Sequence, residues 1–154
     1  MSRTLKLVGL GLIVLLILLQ FFRPERNSAP PDPELDMLTV VSPPEPIADL
    51  IRTACYDCHS NQTVYPWYSR ISPVSWYLNK HIVEGKEELN FSDYGQLEKA
   101  DKIGALADFY DVLDAGTMPL QSYLLIHKQA RLSQEDIEAL CSWSEKEALK
   151  VMRE

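Results

Sequence analysis

Seven of the ten prolines in this 154-residue chain fall between Pro24 and Pro46. A fixed φ and a missing N–H exclude a helix interior or a central strand wherever prolines are this dense. The chain therefore divides into an apolar N-terminus (residues 1–22), a proline-rich linker (23–45) and a folding segment (46–154).

In the first part, Arg3 and Lys6 precede an apolar run from Leu7 to Leu19, then Gln20, Phe21 and Phe22. Leu5 and the two phenylalanines extend the run toward the roughly 20 residues of a membrane span. The pattern is also that of a signal peptide, but the run ends in Phe21-Phe22-Arg23-Pro24 rather than in small residues. The expectation is an uncleaved N-terminal anchor, single-pass in a bacterial inner membrane, with the rest facing the periplasm. The Arg and Lys residues balance across the two flanks, so the orientation rests partly on the chemistry of the domain beyond the linker. A linker of polyproline character reaches up to roughly 70 Å. Within it, Leu38–Val41 is expected as a short extended piece packing on the domain.

The folding segment is expected to be all-α. Ile47, Leu50, Ile51 and Ala54 share one helical face, with Pro46 at the start. Ser72 to Gly85 repeats the pattern through Val74, Leu78, His81 and Ile82, with Ser72 placed to cap and Gly85 to end it. Ser92–Ala115 is a longer helical stretch that Gly95 and Gly104 weaken, so a break is expected. Ser133 and Asp136 form a capping-box pattern before a last helix with Ile137, Leu140 and Cys141 on one face. No stretch alternates as a strand does.

Chemistry concentrates at Cys55-Tyr56-Asp57-Cys58-His59. C-x-x-C-H is the attachment pattern of c-type haem: two thiols three residues apart reach the two vinyl groups of one porphyrin, and the next imidazole sits under the iron. Three other readings compete. Structural zinc needs four ligands, and Cys55, Cys58, Cys141 and a histidine would be a poorly spaced set, with Cys141 alone in an amphipathic helix. A thioredoxin-like pair needs a βαβ context. A plain disulfide suits an exported chain.

A second iron ligand is sought elsewhere. Met118 lies in Gly116-Thr117-Met118-Pro119, and Pro119 restricts it to extended geometry that helps a loop aim one side chain. A His/Met pair raises the reduction potential, as suits an electron carrier. His81, on an apolar face, and His127, after Tyr123–Ile126, are the alternatives. Tyr65, Trp67 and Trp76, with Asn61, are candidates for the pocket wall and its polar contacts. Asn61/Thr63 and Asn90/Ser92 read as loop hydrogen-bonders rather than glycan sites, and Cys141 as an apolar filler.

The run CYDCHSNQTVYPWYSRISPVSW (Cys55–Trp76), with HIVEGKEELNFSDY (His81–Tyr94) and GTMPLQSYLLIHKQARLS (Gly116–Ser133), resembles the bacterial haem-binding domain family of small c-type cytochrome-like proteins. The resemblance spans Ile47 to Trp143. It implies one covalent haem c on Cys55 and Cys58, with His59 as an axial ligand. The family more often carries Trp at the place of Tyr94 and Arg at that of Lys86. The layout is also similar to a class I cytochrome c, whose first and last helices cross. Here that would pair Ile47, Leu50 and Ile51 with Ile137, Leu140 and Cys141.

Net charge is -7, and removing Arg3 and Lys6 leaves 13 basic against 22 acidic residues from Arg23 onward. That argues against nucleic acid and for redox partner proteins with a basic face at the inner membrane. The expected function is one-electron transfer by a membrane-anchored periplasmic monohaem cytochrome c, more a carrier or binding module than an enzyme. The alternatives are a gas or redox sensor and a small haem peroxidase with an open distal site.

Overall fold

The computed structural model describes residues 2–153, and no strand occurs among them. Helix α1 (Arg3–Leu19) is capped by Ser2, whose Oγ accepts the Leu5 N–H at 3.3 Å. Its 17 residues rise about 25 Å, short of a hydrocarbon core of about 30 Å. Phe21 and Phe22 do not lengthen it. The chain turns at Gln20, where the N–H groups of Gln20, Phe21 and Phe22 bond carbonyls three residues back. Gln20 is also held from the side: its Nε2 donates to the Ser72 carbonyl and its Oε1 accepts the Ser72 N–H, both at 3.0 Å. Among the described residues no helix is long and apolar enough to cross a membrane. That finding overturns the expected anchor over 1–22 and the inner-membrane, single-pass placement built on it.

The proline-rich segment holds more order than its composition suggests. Helix α2 (Met37–Val41) replaces the extended piece expected at Leu38–Val41. It starts because the Asp36 carboxylate accepts the Leu38 N–H at 3.0 Å, and it ends at Ser42 in the left-handed region. Met37, 1% exposed, enters the main core. Asp36 is buried and accepts the Tyr56 hydroxyl at 2.8 Å.

Helix α3 (Glu45–Ala54), with Pro46 in its first turn, leads directly into the one-turn helix α4 (Tyr56–His59). Helix α5 (Val74–Glu88) comes next, then α6 (Lys99–Asp114), α7 (Gln121–Leu124) and α8 (Gln134–Arg153). Short 3-10 turns cover Trp67–Arg70, Phe91–Gln96 and Lys128–Ala130. The core lies between α3, α6 and α8, with Ile51 and Leu140 fully buried and Leu106 nearly so. Ile47, Leu50 and Ile137 pack on that core, so the first and last helices of the domain share one hydrophobic interior. The capping box forms as expected: Asp136 N–H donates to Ser133 Oγ at 3.1 Å, and Ser133 N–H returns a bond to Asp136 at 2.8 Å.

Two glycines act by close approach rather than as helix ends. The long helix expected over Ser92–Ala115 breaks into a 3-10 turn and α6, and at Gly95 the reason is contact. A Cβ there would lie 2.8 Å from Leu35 Cα, and the Gly95 N–H donates to the Leu35 carbonyl at 2.7 Å. Gly85 does not end α5, which runs on to Glu88. A Cβ at Gly85 would meet the Cys58 carbonyl oxygen at 3.1 Å and His59 Cε1 at 3.4 Å. Ser72, expected as the cap, is instead engaged by Gln20.

Candidate functional site

The site grows from the junction of α3 and α4. Cys55 N–H still bonds the Ile51 carbonyl, and both Cys58 and His59 N–H groups then turn back onto the Cys55 carbonyl. This tight reversal presents two thiols and an imidazole from five consecutive residues. All the cysteines are free thiols. Burial, with Cys58 nearby, pushes Cys55 up to about 12, and burial with the Asp57 charge pushes Cys58 up to about 11. Both thiols are therefore protonated at neutral pH.

His59 is positioned by α5 and by Leu89 just beyond its end. Its Nδ1 lies 3.1 Å from the Leu89 carbonyl oxygen. A carbonyl only accepts, so Nδ1 carries the proton and Nε2 keeps its lone pair. Burial holds the imidazole below its usual range, against the opposing pull of the Leu89 and Gly85 carbonyls. The side chain is thus neutral with Nδ1 anchored, the state a metal-ligating histidine needs.

Cys55, Cys58 and His59 border a cavity of about 680 Å3 that Met118 and His81 also line. That volume falls within the roughly 300–1,000 Å3 of pockets enclosing an organic ligand. Phe91, Phe109, Leu113, Leu120 and Tyr123 give it apolar walls. His81 Nε2 is buried with no hydrogen-bond partner. Its Nδ1 faces Glu84 at 3.6 Å and its ring packs edge-on against Tyr77, centroids 4.4 Å apart. A buried, unpartnered nitrogen costs about 1–3 kcal/mol unless something fills the space beside it. Two thiols at attachment spacing, an anchored neutral imidazole, a thioether and an orphaned nitrogen on one apolar cavity fit a haem. Zinc has no such support: Cys141 lies in the main core, and no described group of three or more His, Cys, Asp or Glu residues could hold a metal ion.

Other expected residues lie outside this cavity. Trp67 is 75% exposed. Trp76 donates its Nε1–H to the Phe22 carbonyl at 2.6 Å. The Tyr65 hydroxyl accepts the Asn27 N–H, and Asn61 bonds Ser92 and Asn90 in the adjoining loop. His127 stacks on Tyr123 with centroids 4.2 Å apart, and its Nε2 lies 2.6 Å from the Tyr68 hydroxyl. Apart from the exposed Trp67, each is satisfied by a neighbour instead of turning inward.

Sequence reasoning passes over three contributors. Gly85 admits α5 against the cysteine turn. Tyr123 walls the cavity and donates to Asp57 Oδ2 at 2.8 Å. Asp57 also accepts the Val64 N–H at 3.0 Å, so it ties three segments together. The signal in the sequence is an acidic residue between the two cysteines.

In the comparisons with known proteins, residues 14–146 match a family described as a haem-binding domain. No curated protein and no solved structure matches the chain.

Proposed function

The chain belongs to the haem-binding domain family, and from that premise we propose that it is a monohaem c-type cytochrome passing single electrons between protein partners. Bound haem supplies a one-electron iron couple. In this reading Cys55 and Cys58 hold the group by two thioether bonds. His59 offers Nε2 to the iron while the Leu89 carbonyl keeps its ring oriented. Met118 offers the second ligand, the pairing that raises the reduction potential. The observation that carries the reading is that Met118 and His59, 59 residues apart in the chain, border the same cavity as both thiols.

The cavity lining also suggests the kind of partner. Asp57, Glu84, Glu88, Asp108 and Asp111 line it, and among the described residues no Lys or Arg does. A partner with a basic face suits that lining, with association that slows as salt rises.

Visible spectra of the protein matured in a host that attaches haem c test the proposal, recorded oxidised, reduced, and reduced with carbon monoxide. A low-spin spectrum indifferent to carbon monoxide, with haem retained on the denatured chain, is the expected result. Haem lost on denaturation overturns covalent attachment. A high-spin reduced form that binds carbon monoxide overturns the carrier. The orphaned His81 Nε2 favours one second reading, a gas sensor or peroxidase in which His81 faces a distal ligand. Turnover with peroxide separates those two.

A further inference from the structure

We propose that a second cavity, on another face of α5, binds a small oxyanion carrying two negative charges, of the phosphate or dicarboxylate class. This cavity is about 280 Å3. It does not depend on the haem reading. Ser75, Leu78 and Asn79 of α5 border it, whereas His81, Glu84, Gly85 and Glu88 border the larger one.

The two cavities differ in sign. The larger is lined by five carboxylates and no described Lys or Arg, while the smaller gathers Arg23, Arg26 and Arg70 against the single Glu25. The balance is an excess of two positive charges, the complement of a dianion. None of these three arginines has a carboxylate within ion-pair distance among the described residues, although the chain carries a net charge of -7. Guanidinium groups drawn to one cavity repel one another, and an anion between them reverses that cost.

Arg26 is also held in place. Its Nη2 donates to the buried Ser69 hydroxyl at 3.3 Å, and its guanidinium carbon lies 4.7 Å over the Tyr65 ring. Arg23 Nε donates to the Gln20 carbonyl at 3.2 Å, which leaves its two terminal nitrogens for a ligand. A fork of this kind matches the paired oxygens of phosphate or carboxylate.

Titration of the haem-loaded full chain with inorganic phosphate, sulfate, succinate and chloride, monitored by NMR and calorimetry, tests the site. Saturable one-to-one binding of at least one dianion at millimolar concentration is expected, with chloride far weaker. Which dianion binds best separates phosphate from dicarboxylate chemistry. Arg26→Gln and Arg70→Gln should each weaken binding about tenfold. Glu25→Gln should tighten it, a gain that damage to the fold does not produce. Chloride binding as well as the dianions do, no saturation by any dianion, or an Arg26→Gln/Arg70→Gln double variant binding unchanged would overturn the proposal.

Discussion

The Tyr123 hydroxyl donates to Asp57 Oδ2 at 2.8 Å, and that bond joins the segment after Met118 to the turn between Cys55 and Cys58. Burial and the Asp57 bond together raise the Tyr123 phenol well above its ordinary range, so it stays a donor at neutral pH. The two sides of the cavity are therefore clasped by one charge-assisted hydrogen bond. Replacing Tyr123 by Phe removes the donor and keeps the ring stacked on His127. A loss of about 1–3 kcal/mol in urea denaturation is expected. Unchanged stability would mean that water replaces the bond.

Gly85→Ala and Gly104→Ala should act in opposite directions. A Cβ at Gly85 meets the Cys58 carbonyl oxygen at 3.1 Å, whereas one at Gly104, inside α6, meets nothing within 4 Å. The first change should destabilise by about 1–3 kcal/mol and lower the yield of haem-loaded protein. The second should stabilise by about 0.5–1 kcal/mol, because alanine restricts the unfolded chain and favours helix. Thermal midpoints of the two variants check the contrast, and equal shifts would refute the contact argument.

Alkaline pH should unfold the haem-free chain more readily than the haem-loaded one. Folding raises Cys55 from 9.0 to about 12 and Cys58 from 9.0 to about 11. The unfolded chain thus releases these protons first. Their contribution is complete below pH 9.0 and is lost as pH rises to about 12. If haem c is attached as proposed, thioether bonds would consume both thiols and leave Cys141 and several tyrosines as the raised groups, among them Tyr94 at about 12. Denaturation midpoints from pH 8 to 12 (roughly the span between the ordinary and the raised values) should fall more steeply without haem. Parallel curves would contradict the assignment of these thiols to haem attachment.

Met118→Ala and His81→Ala separate the two candidates for the distal position. The first should open the iron, so that the reduced protein takes up carbon monoxide and the potential falls. The second should leave the spectrum low-spin. The reverse outcome would assign the second ligand to His81.

Local pattern is legible where the controlling contacts are local. The Ser133–Asp136 capping box and the helical face of Ile47, Leu50 and Ile51 both show in residues a few positions apart. So does the C-x-x-C-H turn, whose backbone bonds close within five residues. The N-terminal run misleads because composition alone sets its apparent length. Its helix ends at Gln20, which is tied to Ser72, 52 residues away and just before α5. The short helix at Met37 escapes for a related reason: its Asp36 cap shows in the sequence, but only burial against Tyr56 makes it part of the core.

The sequence alone determined the chemistry on offer, two thiols and an imidazole at fixed spacing, because bonded neighbours cannot drift apart. Only the tertiary structure decided which distant groups share their cavity. It brought Met118 and His81 to the cavity and left Trp67, Trp76, Tyr65, Asn61 and His127 outside it. The reason is that a polar side chain turns toward whichever partner satisfies it. For Trp76, Tyr65, Asn61 and His127 the partners were the Phe22 carbonyl, Asn27, Asn90 and Tyr68, positions that periodicity and composition do not encode.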